Sequence, residues 1–353
     1  VYLKKIVLTG GGTAGHVTPN IALLPYLRDA GFEIHYIGTA NGIERELIEK
    51  ENISYHPISA GKLRRYFDFK NFTDLFRIAA GFFQALLVLT RIKPDIVFSK
   101  GGFVSCPVVW VSWLLRKPVI IHESDMTPGL ANKLSIPFAR KIAYSFPETK
   151  KHLPEAKGVH CGLPVRESIF SGDKEKGKRL CGFLDDKPVI LVICGSQGSQ
   201  IINKVVRESL PTLLTDFNIC HICGKGGITE NQPGYHQFEY VNEELPHLFA
   251  LADIAISRSG ATTLFELLAL AKPALLIPLA TNASRGDQIL NARSFESQGF
   301  SKLLYQDQLS KETLTRQIKL VYQNRDEMIS AMKRSSITNG LQAVARLIEE
   351  QAK

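Results

Sequence analysis

Lys5-Ile6-Val7-Leu8-Thr9-Gly10-Gly11-Gly12-Thr13-Ala14-Gly15-His16-Val17-Thr18-Pro19 is the stretch on which the fold turns. A short apolar run reads as a buried strand, and the glycines that stop it let the backbone turn sharply with bare amides. Thr18 and Pro19 then read as the cap and first residue of a helix reaching Ala30, which Pro25 is expected to kink or interrupt. The same rhythm continues downstream. Strands are expected at Glu33–Gly38, Asp95–Ser99 and Pro118–His122, with helices at Gly42–Glu51 and about Val104–Leu115. Strand and helix in alternation predict a parallel, doubly wound α/β sheet. Near Cys161–Arg166 the rhythm restarts. Pro188–Cys194, Asn218–Cys223, Ile254–Ser257 and Ala274–Pro278 read as strands; Gln200–Leu214, Thr262–Ala271 and Gln288–Gln298 read as helices. Two domains are expected, 1–163 and 164–339, with the last helix, about Gln342–Ala352, packed back on the first.

Composition agrees with two cores. The chain has 353 residues, 44% of them hydrophobic and 22% charged, with mean hydropathy near zero, which excludes a disordered chain. The best candidate for a span, Ile78–Leu89, is too short to cross a bilayer and contains Gln84. Val1–Thr9 reads as a strand, not a signal peptide, so a cytoplasmic protein, soluble or peripheral, is expected. Six cysteines form no disulfide framework, and Cys220 and Cys223 lie in an apolar strand with no second pair to complete a zinc site. The charge is uneven: residues 1–163 carry net +8 and residues 164–353 net +1. The first half is expected to meet something anionic, either phosphate, nucleic acid or an acidic membrane surface.

Six polar segments follow strands or open helices, where ligands of such sheets bind. Gly10–His16 is the first. Its glycines suit an anion, and His16 is either a general base or a locally bonded imidazole. Lys100-Gly101-Gly102-Phe103-Val104-Ser105 repeats the arrangement, and the two loops together would cradle a diphosphate. His122-Glu123-Ser124-Asp125 brings an imidazole and two carboxylates to a strand end, for catalysis or for capping. Gly195-Ser196-Gln197-Gly198-Ser199 gives the second half its own phosphate-type turn. Arg258 to Glu266 opens a helix with small residues. Glu266 can accept from a ribose diol or complement the helix dipole. Arg285-Gly286-Asp287-Gln288 suits sugar hydroxyls or a cap.

Gly61 to Lys93 is basic and aromatic. Phe72, Leu75, Phe76, Ala79 and Phe83 follow helical spacing, as core does, yet the flanking cations, Arg77 among them, also match an interfacial membrane segment. Nucleic acid is a third option, but no nucleic-acid motif accompanies it.

Taken together, the order and spacing of Gly11–Pro19, Ile37-Gly38-Thr39, Gly101–Ser105, His122-Glu123, Gly129–Lys133, Gly195–Gly198, Arg258–Ala261 and Asp287-Gln288 resemble the MurG family of bacterial N-acetylglucosaminyltransferases. The resemblance covers nearly the whole chain. It implies glycosyltransferase-B architecture, with two Rossmann-like domains facing a cleft. It also implies inverting transfer of GlcNAc from UDP-GlcNAc to the 4-hydroxyl of MurNAc in lipid I, giving lipid II, with no cofactor or catalytic metal. By position, Ser196, Gln197, Ala261, Thr262, Thr263, Leu264, Glu266 and Gln288 match the donor site. Val241 would meet uracil, Arg166 the nucleotide, and Thr13, Ala14 and Gly15 the donor sugar and diphosphate. Gly12, Gly101, Gly102 and Ser105 would hold the acceptor diphosphate. Phe72, Leu75, Phe76 and Arg77 would touch an anionic inner-membrane surface on its cytoplasmic face, where other cell-wall synthesis proteins are further partners. His16 is the first candidate base, with Glu123 and Asp125 behind it. The family commonly has glycine at Ala14 and asparagine at Asp125; an ionised carboxylate accepts hydrogen bonds but does not donate them.

Three rivals share parts of this pattern. A UDP-GlcNAc 2-epimerase would need no lipid acceptor. A UDP-sugar sensor at the membrane would bind without turnover. An NAD-dependent dehydrogenase leaves the second glycine-rich half unexplained.

Overall fold

The computed structural model describes residues 3–61, 70–195, 197–280, 286–335 and 339–352, the side chains of 70–73 and 75 excepted. The chain divides into two units, Val1–Arg166 with Asn339–Lys353, and Glu167–Thr338.

The first unit runs β1 (Lys4–Thr9), α1 (Ala14–Asp29), β2 (Phe32–Thr39), α2 (Ile43–Glu49), β3 (Ser54–Ile58), α3 (Lys70–Ile92), β4 (Ile96–Ser99), α4 (Ser105–Leu114), β5 (Val119–Glu123), α5 (Leu130–Ser135), β6 (Lys141–Tyr144) and β7 (Gly158–His160). Its strands are parallel and ordered β3-β2-β1-β4-β5-β6-β7. The order reverses between β1 and β4, where Thr9 pairs with Ser99. The two glycine loops therefore leave the sheet side by side at its topological switch point.

Helix α1 begins a turn earlier than expected. Thr13, extended at φ −148°, precedes Ala14 as the N-cap, so Thr18 is not the cap. Nor does Pro25 interrupt: the helix passes through Pro19 and Pro25 to Asp29. A proline inside a helix costs about 3 kcal/mol. Burial of Val17, Leu23, Leu24 and Leu27 against the sheet offsets that cost, since each such side chain contributes about 1.5–3 kcal/mol.

The last helix, α13 (Leu341–Gln351), lies in this unit. Leu341, Val344, Ala345 and Ile348 enter the core that holds Leu23, Leu24 and Leu27. Its entry is pinned at Asn339, whose Oδ1 accepts from the amides of Val165 at 3.1 Å and Leu341 at 2.9 Å.

The second unit runs α6 (Lys174–Cys181), β8 (Val189–Ile193), α7 (Gln200–Leu213), β9 (Asn218–Ile222), β10 (Tyr235–Phe238), α8 (Leu245–Leu251), β11 (Ile254–Ser257), α9 (Ala261–Ala269), β12 (Ala274–Leu276), α10 (Asp287–Ser297), β13 (Ser301–Leu303), α11 (Lys311–Gln323) and α12 (Arg325–Arg334). The order β10-β9-β8-β11-β12-β13 is again parallel and reverses between β8 and β11. Strand β8 is buried at every position, as its unbroken apolar run requires when helices cover both faces. All six cysteines are buried thiols.

Candidate active site

In the first unit the two glycine loops touch. The Gly11 amide donates to the Gly101 carbonyl at 3.3 Å, and a Cβ on Gly102 (φ +84°) would collide with the Gly11 carbonyl. His16 sits in the first turn of α1, half-buried, with Nδ1 2.9 Å from the Gly11 carbonyl. A carbonyl only accepts, so Nδ1 carries the proton and Nε2 the lone pair. Thr13, at 3.4 Å from the same Nδ1, and Gly12 are exposed at the loop edge, with Ala14 and Gly15 half-buried behind them.

Several amides of the expected cradle are not bare. Gly12 donates to Glu44 Oε2 at 3.2 Å, Gly101 to Ser99 Oγ at 3.2 Å, and the amide and hydroxyl of Ser105 to the Gly102 carbonyl at 3.1 and 2.7 Å. Glu44 carried no signal in the sequence. It is fully buried and also takes the amide and hydroxyl of Thr39 at 3.0 and 2.6 Å. It braces the β1 loop from behind.

At the end of β5, Glu123 is buried. It accepts from the amides of Asp125 and Gly129 at 2.9 and 3.1 Å and from Asn132 Nδ2 at 2.7 Å. Burial, then the Asp125 carboxylate, pushes it up to about 7. Its carboxyl group holds the loop after β5, which makes it a positioning group. Asp125 is half-buried on that loop. Lys100 lies beneath the second glycine loop, buried, with Nζ 2.8 Å from His122 Nδ1 and 2.5 Å from Ser124 Oγ. Burial pushes Lys100 down to about 7 against the pull of Glu123 and Asp125. Burial and the Lys100 charge hold His122 well below its ordinary range.

The second unit has a cavity of about 470 Å³ at its switch point, lined among others by Gly195, Gly198, Ser257, Arg258, Thr263 and Gln288. Gly198 (φ +67°) and Gly224 (φ +84°) let two loops press together, since a Cβ on either would strike the other loop's backbone at Cys223 or Gln197. Gly260 caps α9, so Ala261, Thr262 and Thr263 are its first three residues. The positive end of the helix dipole meets the cavity where Thr263 lines it. Arg258 ties this end together: it donates to the carbonyls of Ile277 and Pro278 at 3.0 Å each and to Ser199 Oγ at 2.8 Å. Gln288, which lines the cavity, accepts at Oε1 from the Leu279 amide at 3.1 Å. Leu264 is core, so its side chain is not at the cavity, and Glu266 and Val241 are also buried. Gln197 is exposed in the turn, and Arg166 is half-buried at the end of the first unit's main segment. Ser196 and Arg285 lie outside the described residues.

Of the membrane candidates, Phe76 and Arg77 are exposed on α3, while the side chains of Phe72 and Leu75 lie outside the described residues. Phe83 and Leu87 on α3, and Trp113 and Leu114 on the packed helix α4, are also more than half exposed. Trp113 and Leu114 lie in an almost wholly apolar run, so nothing in their neighbours marked them as exposed. Among the described residues no helix is long and apolar enough to cross a membrane.

Two doubly wound parallel units, each with a glycine loop at its switch point, define a protein of the two-Rossmann-unit class, and comparison with known proteins makes it a glycosyltransferase. Residues 6–144 match the glycosyltransferase family 28 N-terminal domain and residues 189–349 its C-terminal domain. The chain belongs to glycosyltransferase family 28, in its MurG branch of N-acetylglucosamine transferases. It is 57% identical over 350 residues to the UDP-N-acetylglucosamine--N-acetylmuramyl-(pentapeptide) pyrophosphoryl-undecaprenol N-acetylglucosamine transferase of Clostridium tetani, covering 98% of each chain. The protein of the same name from Clostridium botulinum strain Langeland is 54% identical, covering 99% of this chain and all of that one. The crystal structure of Acinetobacter baumannii MurG superposes with a TM-score of 0.77 at 24% identity, covering 98% and 99% of the two chains.

Proposed function

We propose that the protein transfers N-acetylglucosamine from UDP-GlcNAc to the 4-hydroxyl of the N-acetylmuramyl unit of lipid I, giving lipid II with inversion at the anomeric carbon. One observation carries this reading: the likeness to a transferase named for that reaction is 57% and runs through 98% of both chains.

The donor belongs to the second unit. Thr263 and Gln288 line the cavity there, and Ala261 and Thr262 open α9 beside it. Ser196 and Gln197 are assigned to the donor as well. As the glycosidic bond breaks, the departing diphosphate gains charge, and the N-terminus of α9 stabilises it. Glu266 is assigned to the ribose, the backbone of Val241 to uracil, and Arg166 to the nucleotide. The acceptor belongs to the first unit, whose Thr13, Ala14 and Gly15 are assigned to the donor sugar and diphosphate. There His16 Nε2 takes the proton of the attacking hydroxyl, a contribution of about 10²–10⁴ in rate. The exposed apolar side chains of α3 and α4, on a basic half, suit docking to the anionic cytoplasmic face of the membrane that carries the acceptor.

UDP release from UDP-GlcNAc, with and without a short-chain lipid I analogue, tests the reading. Release only with the analogue, together with a disaccharide product, supports the transferase. Conversion of the donor alone contradicts it and favours an epimerase or hydrolase.

A further inference from the structure

Lys100 is 1% exposed and makes no ion pair among the described residues. One of its ammonium hydrogens goes to His122 Nδ1 and another to Ser124 Oγ. His122 can accept there because its Nε2 faces the Gly162 carbonyl at 2.9 Å, which fixes the proton on Nε2. The ammonium therefore imposes a direction on Ser124. Its oxygen accepts, so its own hydrogen must be given elsewhere, and no group among the described residues takes it. Ser124 is half-buried at the start of the loop after β5, and its neighbour Asp125 brings a half-buried carboxylate to the same loop.

The charges around this hydroxyl decide what it suits. Lys100 is the one cation; Glu123 and Asp125 are carboxyl groups, and His122 is neutral. The sum is not positive, so the place is poor for an anion. A sugar hydroxyl fits instead, because it can accept from Ser124 and donate to Asp125.

We propose that Ser124 contacts a hydroxyl of the acceptor sugar, and that Lys100 is the positioning residue that aims the Ser124 proton at it. This rests on the reading that the first unit holds the acceptor. A neutral Lys100 could instead accept from Ser124 and reverse the bond. Burial already favours that neutral form, with Glu123 and Asp125 opposing it and His122 facing the same nitrogen. Acceptor affinity should therefore weaken as pH rises past neutrality.

The test is calorimetric binding and steady-state turnover of a short-chain lipid I analogue at about pH 6 and about pH 9. Ser124→Ala should weaken the analogue about tenfold at the lower pH, the size of one charge-assisted hydrogen bond. It should also remove the pH dependence and raise KM for the analogue more than it lowers kcat, with UDP-GlcNAc affinity unchanged. Ser124→Thr should keep both affinity and pH dependence, and Lys100→Met should lose both. If Lys100→Met also loses UDP-GlcNAc binding it has misfolded, and Ser124→Ala decides alone. Affinity and pH dependence unchanged in Ser124→Ala overturn the proposal. An analogue that binds but is not glycosylated defeats the transfer reading while the Ser124 comparison still stands. An analogue that does not bind at all defeats both.

Discussion

His16 Nδ1 lies 2.9 Å from the carbonyl oxygen of Gly11, so a backbone atom selects the tautomer of the imidazole. Gly11 is itself held by its amide bond to Gly101 on the second loop. The ring, the β1 loop and the β4 loop thus form one connected piece, and the nitrogen with the lone pair is Nε2. Carboxylate substitutions at Glu123 or Asp125 should leave that tautomer in place.

The contact between the loops predicts an order among glycine substitutions. Gly102→Ala puts a Cβ against the Gly11 carbonyl at a positive φ, whereas at Gly12, also at positive φ, a Cβ would meet nothing within 4 Å. Gly12→Ala should cost about 1–2 kcal/mol, the left-handed backbone term alone. Gly102→Ala should cost clearly more and lower activity with it. Urea unfolding of both variants measures this, and equal losses would mean the loops do not press together.

The proposed membrane docking makes a separate prediction. Phe76, Phe83, Leu87 and Trp113 are more than half exposed. Replacing all four with serine should reduce sedimentation with anionic vesicles several-fold and leave the melting temperature within a few degrees. Added salt should weaken the wild-type association further. Full vesicle binding by the variant, or a collapse of its stability, would assign these side chains to packing.

Glu123 links stability to pH. Its folded carboxyl titrates near 7, whereas the unfolded one titrates near 4.5. Between those values the folded state binds the extra proton, so this contribution is full below about 4.5 and is lost as pH rises through about 7. Urea midpoints across that window should fall more steeply for wild type than for Glu123→Gln. Parallel curves would show that Glu123 is not held protonated.

The strands β1, β2, β4, β5, β8, β9, β11 and β12 were legible because each is a short apolar run stopped by a glycine or polar loop. The edge strands were not. β3 contains Pro57, and β7 is three residues long, so neither shows a buried strand's pattern. Thr18-Pro19 carried a stronger local cap signal than Thr13, but the tight turn at Gly10–Gly12 lets α1 begin at Ala14. At the site, the glycine loops and His16 stood out by residue type. Glu44 and Lys100 did not, because a buried carboxylate or ammonium takes its role from partners distant in sequence. Glu44 meets Gly12 across 32 positions, and Lys100 meets His122 across 22.

The most direct test is the single-turnover rate of His16→Ala with UDP-GlcNAc and a short-chain lipid I analogue, both saturating. His16 as the base predicts a rate lower by about 10²–10⁴, with UDP-GlcNAc affinity retained and a bell-shaped pH profile losing its acidic limb. A rate equal to wild type would contradict the assignment and move the proton to another group.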